Sequence, residues 1–429
     1  MKKTITGSRW QVAGYWLLII GYWLLITGCT TIPAAPLPTA LPTAVQPANL
    51  DAIAAVPPTW TPSASELLPT LDAGRVNEGV VAGTAVGLIP TFTPIPPTRT
   101  PIPTATPTPA ATPYVSYIPQ LPPSTELGPS KLGLHVNRNN SPNIMEFIRR
   151  AQPSVIKGVA DLGYMAEIKE VSPRTITVGR IPVENQDYGG NPEEEARKLV
   201  AEQLREYELN PAVDFWEGWN EPDPNLDRME WYARFEAERV REMAKHGFRT
   251  AIGGFSTGVP ELDEFELFVP AIEVALEYGG ILTLHEYTAP SIEYGFGSPL
   301  PQQTPYPDRG SLIFRYRWYY EEILKPRNLV IPLVISEAGI DGLVGPRPGP
   351  KGKGWREFQN FWTEQGVWGE TGPAAYVNQM AWYDNGVRQD GYVIGFCLFT
   401  AGGGGQWETY NLNDILPDLA NYVISQGAP

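Results

Sequence analysis

The sequence is poor in cysteine, in histidine and in net positive charge, and each shortage excludes a class of protein. Among 429 residues there are two cysteines and three histidines, too few for a disulfide framework or for the clustered histidines of a zinc hydrolase. The 47 acidic residues outnumber the 32 basic ones, giving a formal net charge of -15, which argues against nucleic-acid binding. We therefore expect no metal, no cofactor and no nucleic-acid partner.

The N-terminus resembles a bacterial lipoprotein signal. A basic start, MKKTITGSR, precedes an apolar run that ends in Ile26, Thr27, Gly28 and Cys29. These four residues resemble the lipobox, in which the cysteine is lipidated and becomes the mature N-terminus. An ordinary membrane anchor is the alternative, because the apolar run is nearly long enough to span a bilayer. Both interpretations place the residues after this run outside the cytoplasm. The protein is then expected to be lipid-anchored to the bacterial cell membrane, or secreted.

Composition divides the chain into three regions. Residues 1–28 form the predicted signal peptide. Residues 29–129 contain Cys29 and a linker rich in proline and threonine, as in PTFTPIPPTRTPIPTATPTPAATP. Proline removes backbone donors and fixes φ, so this linker cannot pack a core and serves as a spacer. Residues 130–429 have a different texture and form the predicted folded domain.

Eight short apolar runs alternate with amphipathic segments in this domain. Near-continuous apolar runs are typical of parallel strands covered on both faces. The runs are KLGLHVN, PSVIKGVA, RTITVGRI, AVDFWEGWN, FRTAIGGF, GILTLHEY, LVIPLVISEAG and YVIGFCLFTA. The clearest helical segment, NPEEEARKLVAEQLREYEL, opens with Asn191 as a cap and Pro192 in the first turn. The pattern predicts a (β/α)8 TIM barrel; a doubly wound sheet is disfavoured because no Gly-rich phosphate turn follows the first run.

Reactive side chains stand where the predicted strands end. The fourth run ends in Asn220 and Glu221, the sixth contains His285 and Tyr287, and the seventh contains Glu337. In such barrels the active site lies at the carboxyl ends of the strands. Two carboxylates that face each other across the mouth are the usual equipment for cleaving a glycosidic bond, one as the acid and the other ionised.

The segments FWEGWNEP and VISEAG resemble clan A of the glycoside hydrolases, the retaining barrel enzymes. The similarity covers about residues 130 to 427 and is nearest to family 39 or family 5. It implies that Glu221 is the general acid/base and Glu337 the nucleophile. It also implies that Asn220 bonds the sugar 2-hydroxyl and that His285 and Tyr287 position the substrate and the nucleophile.

The resemblance extends to the rest of the mouth, with one departure. Trp407 would be the aromatic floor under the sugar. His135 and Asn137, on the first strand, are further candidate substrate contacts, although His135 fits the core equally well. Where many clan members carry an arginine beside the nucleophile, the second strand offers Lys157, and Arg180 is a candidate substitute.

Two other features are open to more than one interpretation. Glu217 is predicted to be a buried structural acid paired with Lys157. The loop DGLVGPRPGPKGKGWREF is basic, with Arg347, Lys351 and Arg356, and is either a subsite for acidic sugars or a solvated loop. Cys397 lies in an apolar run and is predicted to be a buried thiol.

The functional expectation is a retaining hydrolase of a β-linked glycan. The carbohydrate substrate and the membrane are the expected partners. The alternatives are a carbohydrate-binding barrel that has lost catalysis and a transglycosylase that uses the same residues. The sequence does not indicate the sugar, the linkage, or endo as against exo action.

Overall fold

The computed structural model describes residues 114–124 and 127–427. The predicted signal peptide, Cys29 and the linker up to residue 113 lie outside the described residues. In the part of the chain that is described, no helix has the length and apolarity needed to cross a membrane.

Eight parallel strands close into a barrel in chain order, which confirms the predicted (β/α)8 fold. Each strand falls within one of the apolar runs or extends it by a residue. The strands are β1 (Leu132–Val136), β2 (Val155–Val159), β3 (Ile176–Arg180), β4 (Phe215–Glu217), β5 (Thr250–Phe255), β6 (Ile281–Thr288), β7 (Leu333–Ile340) and β8 (Val393–Ala401).

Helices surround the barrel. They are α1 (Pro142–Ala151), α2 (Met165–Val171), α3 (Pro192–Leu209), α4 (Asn225–Lys245), α5 (Leu262–Glu277), α6 (Tyr316–Tyr319), α7 (Gln359–Gln365), α8 (Gly372–Val387) and α9 (Leu416–Ser425). α6 continues as a π-helical turn, Tyr320–Leu324, and a 3-10 turn, Lys325–Arg327. The predicted cap of α3 is confirmed, since the Asn191 side chain accepts a hydrogen bond from the Glu194 N–H.

The barrel interior is apolar at its base and charged above it. The residues of the base are Val155, Val178, Phe215, Ala251, Ile281, Val334 and Cys397. Cys397 is fully buried, as predicted. Since side chains alternate along a strand, the residue two positions after an inward apolar residue also points inward. Lys157, Arg180 and Glu217 each follow an apolar base residue by two positions, so strand periodicity itself stacks the charges above the apolar base.

The segment before the barrel, residues 114–124, packs against it. Tyr114 Oη donates to Glu293 Oε1 (2.7 Å), and Ser116 Oγ donates to the same oxygen (2.9 Å). The indole N–H groups of Trp368 and Trp382 donate to Ser116 Oγ and to the Pro119 carbonyl, both at 3.0 Å. Residues that composition alone assigns to the linker are therefore bonded into the folded domain.

Candidate active site

Glu337, on β7, lies at the centre of the charged layer and is almost completely buried. Its Oε1 is 2.9 Å from Lys157 Nζ and 3.3 Å from the Arg180 guanidinium. Its Oε2 accepts a hydrogen bond from Tyr287 Oη at 2.9 Å and lies 3.7 Å from His285 Nδ1. Three strands besides its own thus hold this carboxylate in one orientation.

The surroundings of Glu337 favour its ionised form. Burial alone would raise its pKa, but the facing groups His285, Lys157, His135 and Arg180 outweigh burial and hold the pKa well below its ordinary range. Burial lowers the pKa of His135 to about 3, so that ring is neutral at neutral pH. Lys157 and Arg180 are therefore cations beside Glu337 that His135 does not join at neutral pH.

Lys157 is fully buried and joins two carboxylates. Its Nζ is 2.8 Å from Glu217 Oε2 as well as 2.9 Å from Glu337 Oε1. Burial would raise the pKa of Glu217, but Lys157 and then Arg180 lower it to about 2. The structure thus bears out the predicted pairing of Glu217 with Lys157. It also places Arg180 beside Glu337, in the substitute role considered for it.

Glu221 stands beyond β4 rather than on it. β4 ends at Glu217, and the Glu221 N–H donates to the carbonyl of Gly254, near the end of β5 (2.9 Å). Glu221 has φ 49, a left-handed conformation uncommon for a non-glycine residue. This turn swings its carboxylate toward the barrel axis and leaves the side chain 37% exposed.

Two side chains hold the Glu221 carboxylate. His285 Nδ1 is 2.8 Å from Oε1, and Ser256 Oγ donates to the same oxygen at 3.1 Å. Burial and the charge of Glu337 raise the pKa of Glu221, whereas the hydrogen bonds from His285 and Ser256 lower it, and the net shift is downward. The two glutamates therefore differ in degree, because Glu337 carries the larger depression and the stronger cationic support.

Glu221 and Glu337 face each other across His285. One oxygen or nitrogen of each of the three residues lies within 4.8 Å of the others, a spacing that a metal ion would accept. However, the positively charged Lys157 and Arg180 already contact the Glu337 carboxylate. A further cation would be repelled there, so the arrangement suits a carboxylate pair better than a metal centre.

Asn220 is tied to the same network. The Arg180 guanidinium donates to Asn220 Oδ1 and also contacts Glu337, while Gln186 Nε2 donates to the Asn220 carbonyl (3.0 Å). Asn220 is half-buried, with its side chain directed toward the two glutamates by Arg180. The Asn220 side-chain oxygen is thereby engaged by Arg180.

The remaining predicted residues lie at the same end of the barrel. His135 is buried and stands 3.6 Å from Glu337 Oε1, with its Nδ1 2.9 Å from Thr400 Oγ1. Asn137 follows β1, half-buried, and its N–H donates to the Ala401 carbonyl. Trp407 lies half-buried in the 3-10 turn Gly405–Tyr410 after β8.

An aromatic group lines this side of the mouth. The Trp407 ring meets Phe399 edge-on at 5.1 Å between centroids and Tyr410 at 5.7 Å. Phe399, half-buried on β8, also lies 4.8 Å from the His135 ring. Sequence reasoning missed Phe399. Its position two residues after the inward-facing Cys397 is the signal that could have identified it.

Trp216 and Trp219, both in the segment FWEGWNEP, are core residues. Trp216 is fully buried on β4 and packs 4.7 Å from Tyr207 on α3. Trp219, just after β4, is 5% exposed and packs 4.8 Å from Phe235 on α4. Neither ring faces the mouth, so the aromatic character of this segment serves packing.

Ser256 is a second residue that sequence reasoning missed. It lies in residues 254–258, which read GFSTG, a Gly-x-Ser-x-Gly sequence between a strand and a helix. In serine hydrolases this sequence carries the nucleophile. Here the Ser256 hydroxyl donates to Glu221, so its contact supports a carboxylate rather than a serine–histidine pair.

The basic loop after β7 uses its arginines internally. Arg347 donates to the carbonyls of Gly342, Pro348 and Pro350 at 2.8 to 3.0 Å. Arg356 bonds Asp414 and the Asn411 carbonyl. These contacts favour a structural loop over a subsite for acidic sugars.

Comparisons with known proteins return structural neighbours only. No protein-family model matches the chain, and no curated protein matches it. A family 5 xyloglucan-specific endo-β-1,4-glucanase from a metagenomic library aligns at a TM-score of 0.40 with 14% identity, covering 70% of this chain and 97% of that one. An endo-β-1,4-mannanase from Thermotoga petrophila aligns at 0.38 with 13% identity, covering 69% and 77%.

A third neighbour has the same character. An endo-β-1,4-glucanase from Xanthomonas axonopodis pv. citri aligns at a TM-score of 0.39 with 10% identity, covering 68% of this chain and 99% of that one. Similarity this remote carries no argument about activity. The function must be argued from the side chains at the barrel mouth.

Proposed function

We propose that this chain is a retaining glycoside hydrolase of a β-linked glycan, with Glu337 as the nucleophile and Glu221 as the acid/base. One observation carries the proposal: carboxylate oxygens of the two residues lie within 4.8 Å of each other, with Glu337 on β7 and Glu221 beyond β4. Carboxyl groups about 5 to 5.5 Å apart suit a nucleophile and an acid, whereas about 6.5 to 9.5 Å leaves room for an intervening water.

In the first step, an oxygen of Glu337 attacks the anomeric carbon. The bond from that carbon to the leaving oxygen breaks, and Glu221 gives its proton to the leaving oxygen. Tyr287 and Lys157, both 2.9 Å from Glu337, hold the attacking carboxylate in place. The ionised state of Glu337 is the one that the local charges favour.

In the second step, Glu221 takes a proton from water, and the water oxygen attacks the anomeric carbon. The bond to Glu337 breaks and the carboxylate is regenerated. His285 stands 2.8 Å from Glu221 and 3.7 Å from Glu337, so it keeps both groups in register through the two steps. Asn220 is placed to bond the sugar, and Trp407 with Phe399 offers an aromatic surface beside it.

The proposal includes the cellular setting. The signal sequence and Cys29 support a lipid-anchored protein outside the cytoplasm, with residues 29–113 between the anchor and the described domain. This part rests on the sequence alone. It predicts that the Cys29→Ala variant is no longer labelled by a fatty-acid probe.

The test of the mechanism is the Glu337→Gln variant assayed on aryl β-glycosides and β-linked polysaccharides. We expect turnover to fall about 10^4-fold or more, because the amide cannot form the covalent intermediate, while the folded structure is kept. The first product should retain the β configuration when its anomeric proton is followed by NMR. Near wild-type turnover in this variant, or a first product of inverted configuration, would overturn the assignment.

The carbohydrate-binding alternative is favoured by one observation. His285 and Ser256 lower the pKa of Glu221, whereas a general acid needs its proton. Binding to a broad glycan panel with no hydrolysis at any pH between 4 and 8 would establish this alternative. A transglycosylase would instead release longer glycans among its products.

A further inference from the structure

A third carboxylate, Asp341, lies at the same end of the barrel as the two glutamates. It directly follows the last residue of β7, and its backbone N–H donates to the carbonyl of Thr288 (3.1 Å), the last residue of β6. The side chain is half-buried. Asp341 is therefore fixed to the ends of two neighbouring strands, at the end of the barrel that carries Glu337.

Both hydrogen bonds to the Asp341 carboxylate fall on the same oxygen. Tyr410 Oη and the Leu343 N–H donate to Oδ1, each at 2.8 Å. Among the residues that the structure describes, none donates to Oδ2. The carboxylate is thus held in one orientation with an accepting oxygen to spare, which is what a ligand-binding group requires.

The Tyr410 contact joins Asp341 to the aromatic group of the mouth. The buried Tyr410 ring lies 5.5 Å from Phe399 and 5.7 Å from Trp407, and both of those rings are partly exposed. An accepting carboxylate beside exposed ring faces suits a sugar, which presents hydroxyl groups at its edge and C–H groups on its faces.

The carboxylates around Asp341 disfavour an anionic ligand. The nearest arginine on this loop, Arg347, donates to three backbone carbonyls and is itself held in the loop. Burial and then the charge of Glu221 raise the pKa of Asp341, and the charge of Arg347 opposes this shift without reversing it. A neutral sugar can bind at this part of the mouth, whereas a uronic acid would be repelled by the carboxylates of Asp341 and Glu221.

We propose that Asp341 is a specificity-determining residue that binds the hydroxyl groups of a neutral sugar through Oδ2 and rejects uronic acids. This inference rests on the proposed function, since it assigns a substrate class to the same site. It concerns binding, so it can be tested without turnover.

The experiment compares ligand affinity in the Glu337→Gln protein with and without the Asp341→Ala substitution. The probes are a β-1,4-linked manno-oligosaccharide and a β-1,4-linked oligomannuronate of equal length, which differ in the carboxylate at C6. Calorimetry should show the neutral probe binding about 10- to 100-fold more weakly after Asp341→Ala, the loss expected for a hydrogen bond to a charged acceptor. Asp341→Asn should bind the oligomannuronate measurably, whereas the Asp341 parent should not.

The matched control is Tyr410→Phe, which removes one donor from Oδ1 and leaves Oδ2 in place. It should keep the preference for the neutral probe, while a purely structural role of Asp341 would make Tyr410→Phe and Asp341→Asn behave alike. Equal affinity for the neutral probe with and without Asp341, or tighter binding of the uronate by the parent, would overturn the inference. An active Glu337→Gln enzyme would overturn the proposed function instead, so the two failures are distinguishable.

Discussion

At the residue scale, Lys157 is the fully buried cation that joins Glu217 and Glu337. Replacing it by Met leaves Arg180 as the only lysine or arginine in contact with these two carboxylates among the described residues, so the pKa of Glu337 should rise and the acid limb of the pH–rate profile should move to higher pH. Removing one member of a fully buried ion pair should also cost about 3 to 5 kcal/mol of the free energy of unfolding. Denaturant titration and kcat/KM against pH measure the two effects, and an unmoved acid limb would contradict the role.

His285 should set the position of the alkaline limb of the pH–rate profile. A general acid loses activity as pH rises through its pKa, and the pKa of Glu221 is below its ordinary value, so we expect an acidic optimum. His285→Phe removes the hydrogen bond that lowers this pKa, and the alkaline limb should therefore move to higher pH. His135→Phe is the matched control, because His135 faces Glu337 and not Glu221; an equal shift in both variants would refute the assignment.

The site residues that lie on predicted strands could be identified from the sequence. Residues whose position depends on a hydrogen bond to a distant part of the chain could not. Glu337, His285 and Tyr287 lie on apolar strands, so their type and position were enough to bring them together. Asp341 is oriented by a hydrogen bond from Tyr410, which is 69 positions away in the chain. Tyr410 lies in a loop whose path the sequence does not specify, so the contact could not be predicted.

At the element scale, the early end of β4 determines where Glu221 lies. The chain leaves the sheet after Glu217 and passes close to the β5 exit, where Gly254 has φ 62 and a Cβ would lie 2.8 Å from the Trp219 carbonyl. Gly254→Ala should therefore displace the segment from Trp219 to Glu221 and lower kcat at least about tenfold, as small misplacements of catalytic groups do.

The control for that variant is Gly247→Ala. Gly247 also has positive φ, 80, but it follows α4 and nothing lies within 4 Å of its Cβ position. Both variants should lose roughly 1 kcal/mol of stability from the left-handed backbone. Gly254→Ala should lose more, because a backbone carbonyl must move, and only Gly254→Ala should lose activity. Matching losses of activity, measured with the thermal unfolding of each variant, would show that the close approach is unimportant.

The secondary structure agrees with the sequence pattern where the periodicity is clear. It differs where a buried side chain accepts hydrogen bonds from the backbone. The apolar runs identified every strand, yet β4 was expected to reach Asn220. The segment SLIFRYRWYYEEIL has the texture of a single helix, but α6 begins only at Tyr316, after Phe314 with φ 53. The N–H groups of Phe314 and Tyr316 both donate to the buried Glu286 carboxylate, a tertiary contact that no local pattern announces.

At the scale of the whole molecule, the segment before the barrel completes the fold. Deleting residues 1–113 keeps the contacts of residues 114–124 with the described domain. Deleting residues 1–130 removes the acceptors of the Trp368 and Trp382 indole N–H groups and two hydroxyl donors to Glu293, which keeps only Ser291. The longer deletion should lower the free energy of unfolding by on the order of 3 kcal/mol, while the shorter one should leave it unchanged. Equal melting temperatures for the two proteins would contradict this.

The charge count of the barrel interior has a kinetic consequence. Two cations, Lys157 and Arg180, face two anions, Glu217 and Glu337. In the proposed mechanism, glycosylation turns Glu337 into a neutral ester, and the negative charge moves to Glu221, which has given up its proton and is not in contact with Lys157. Hydrolysis returns the negative charge to Glu337, beside Lys157 and Arg180, so the interior favours the second half of the cycle and the glycosyl-enzyme should not accumulate before steady state.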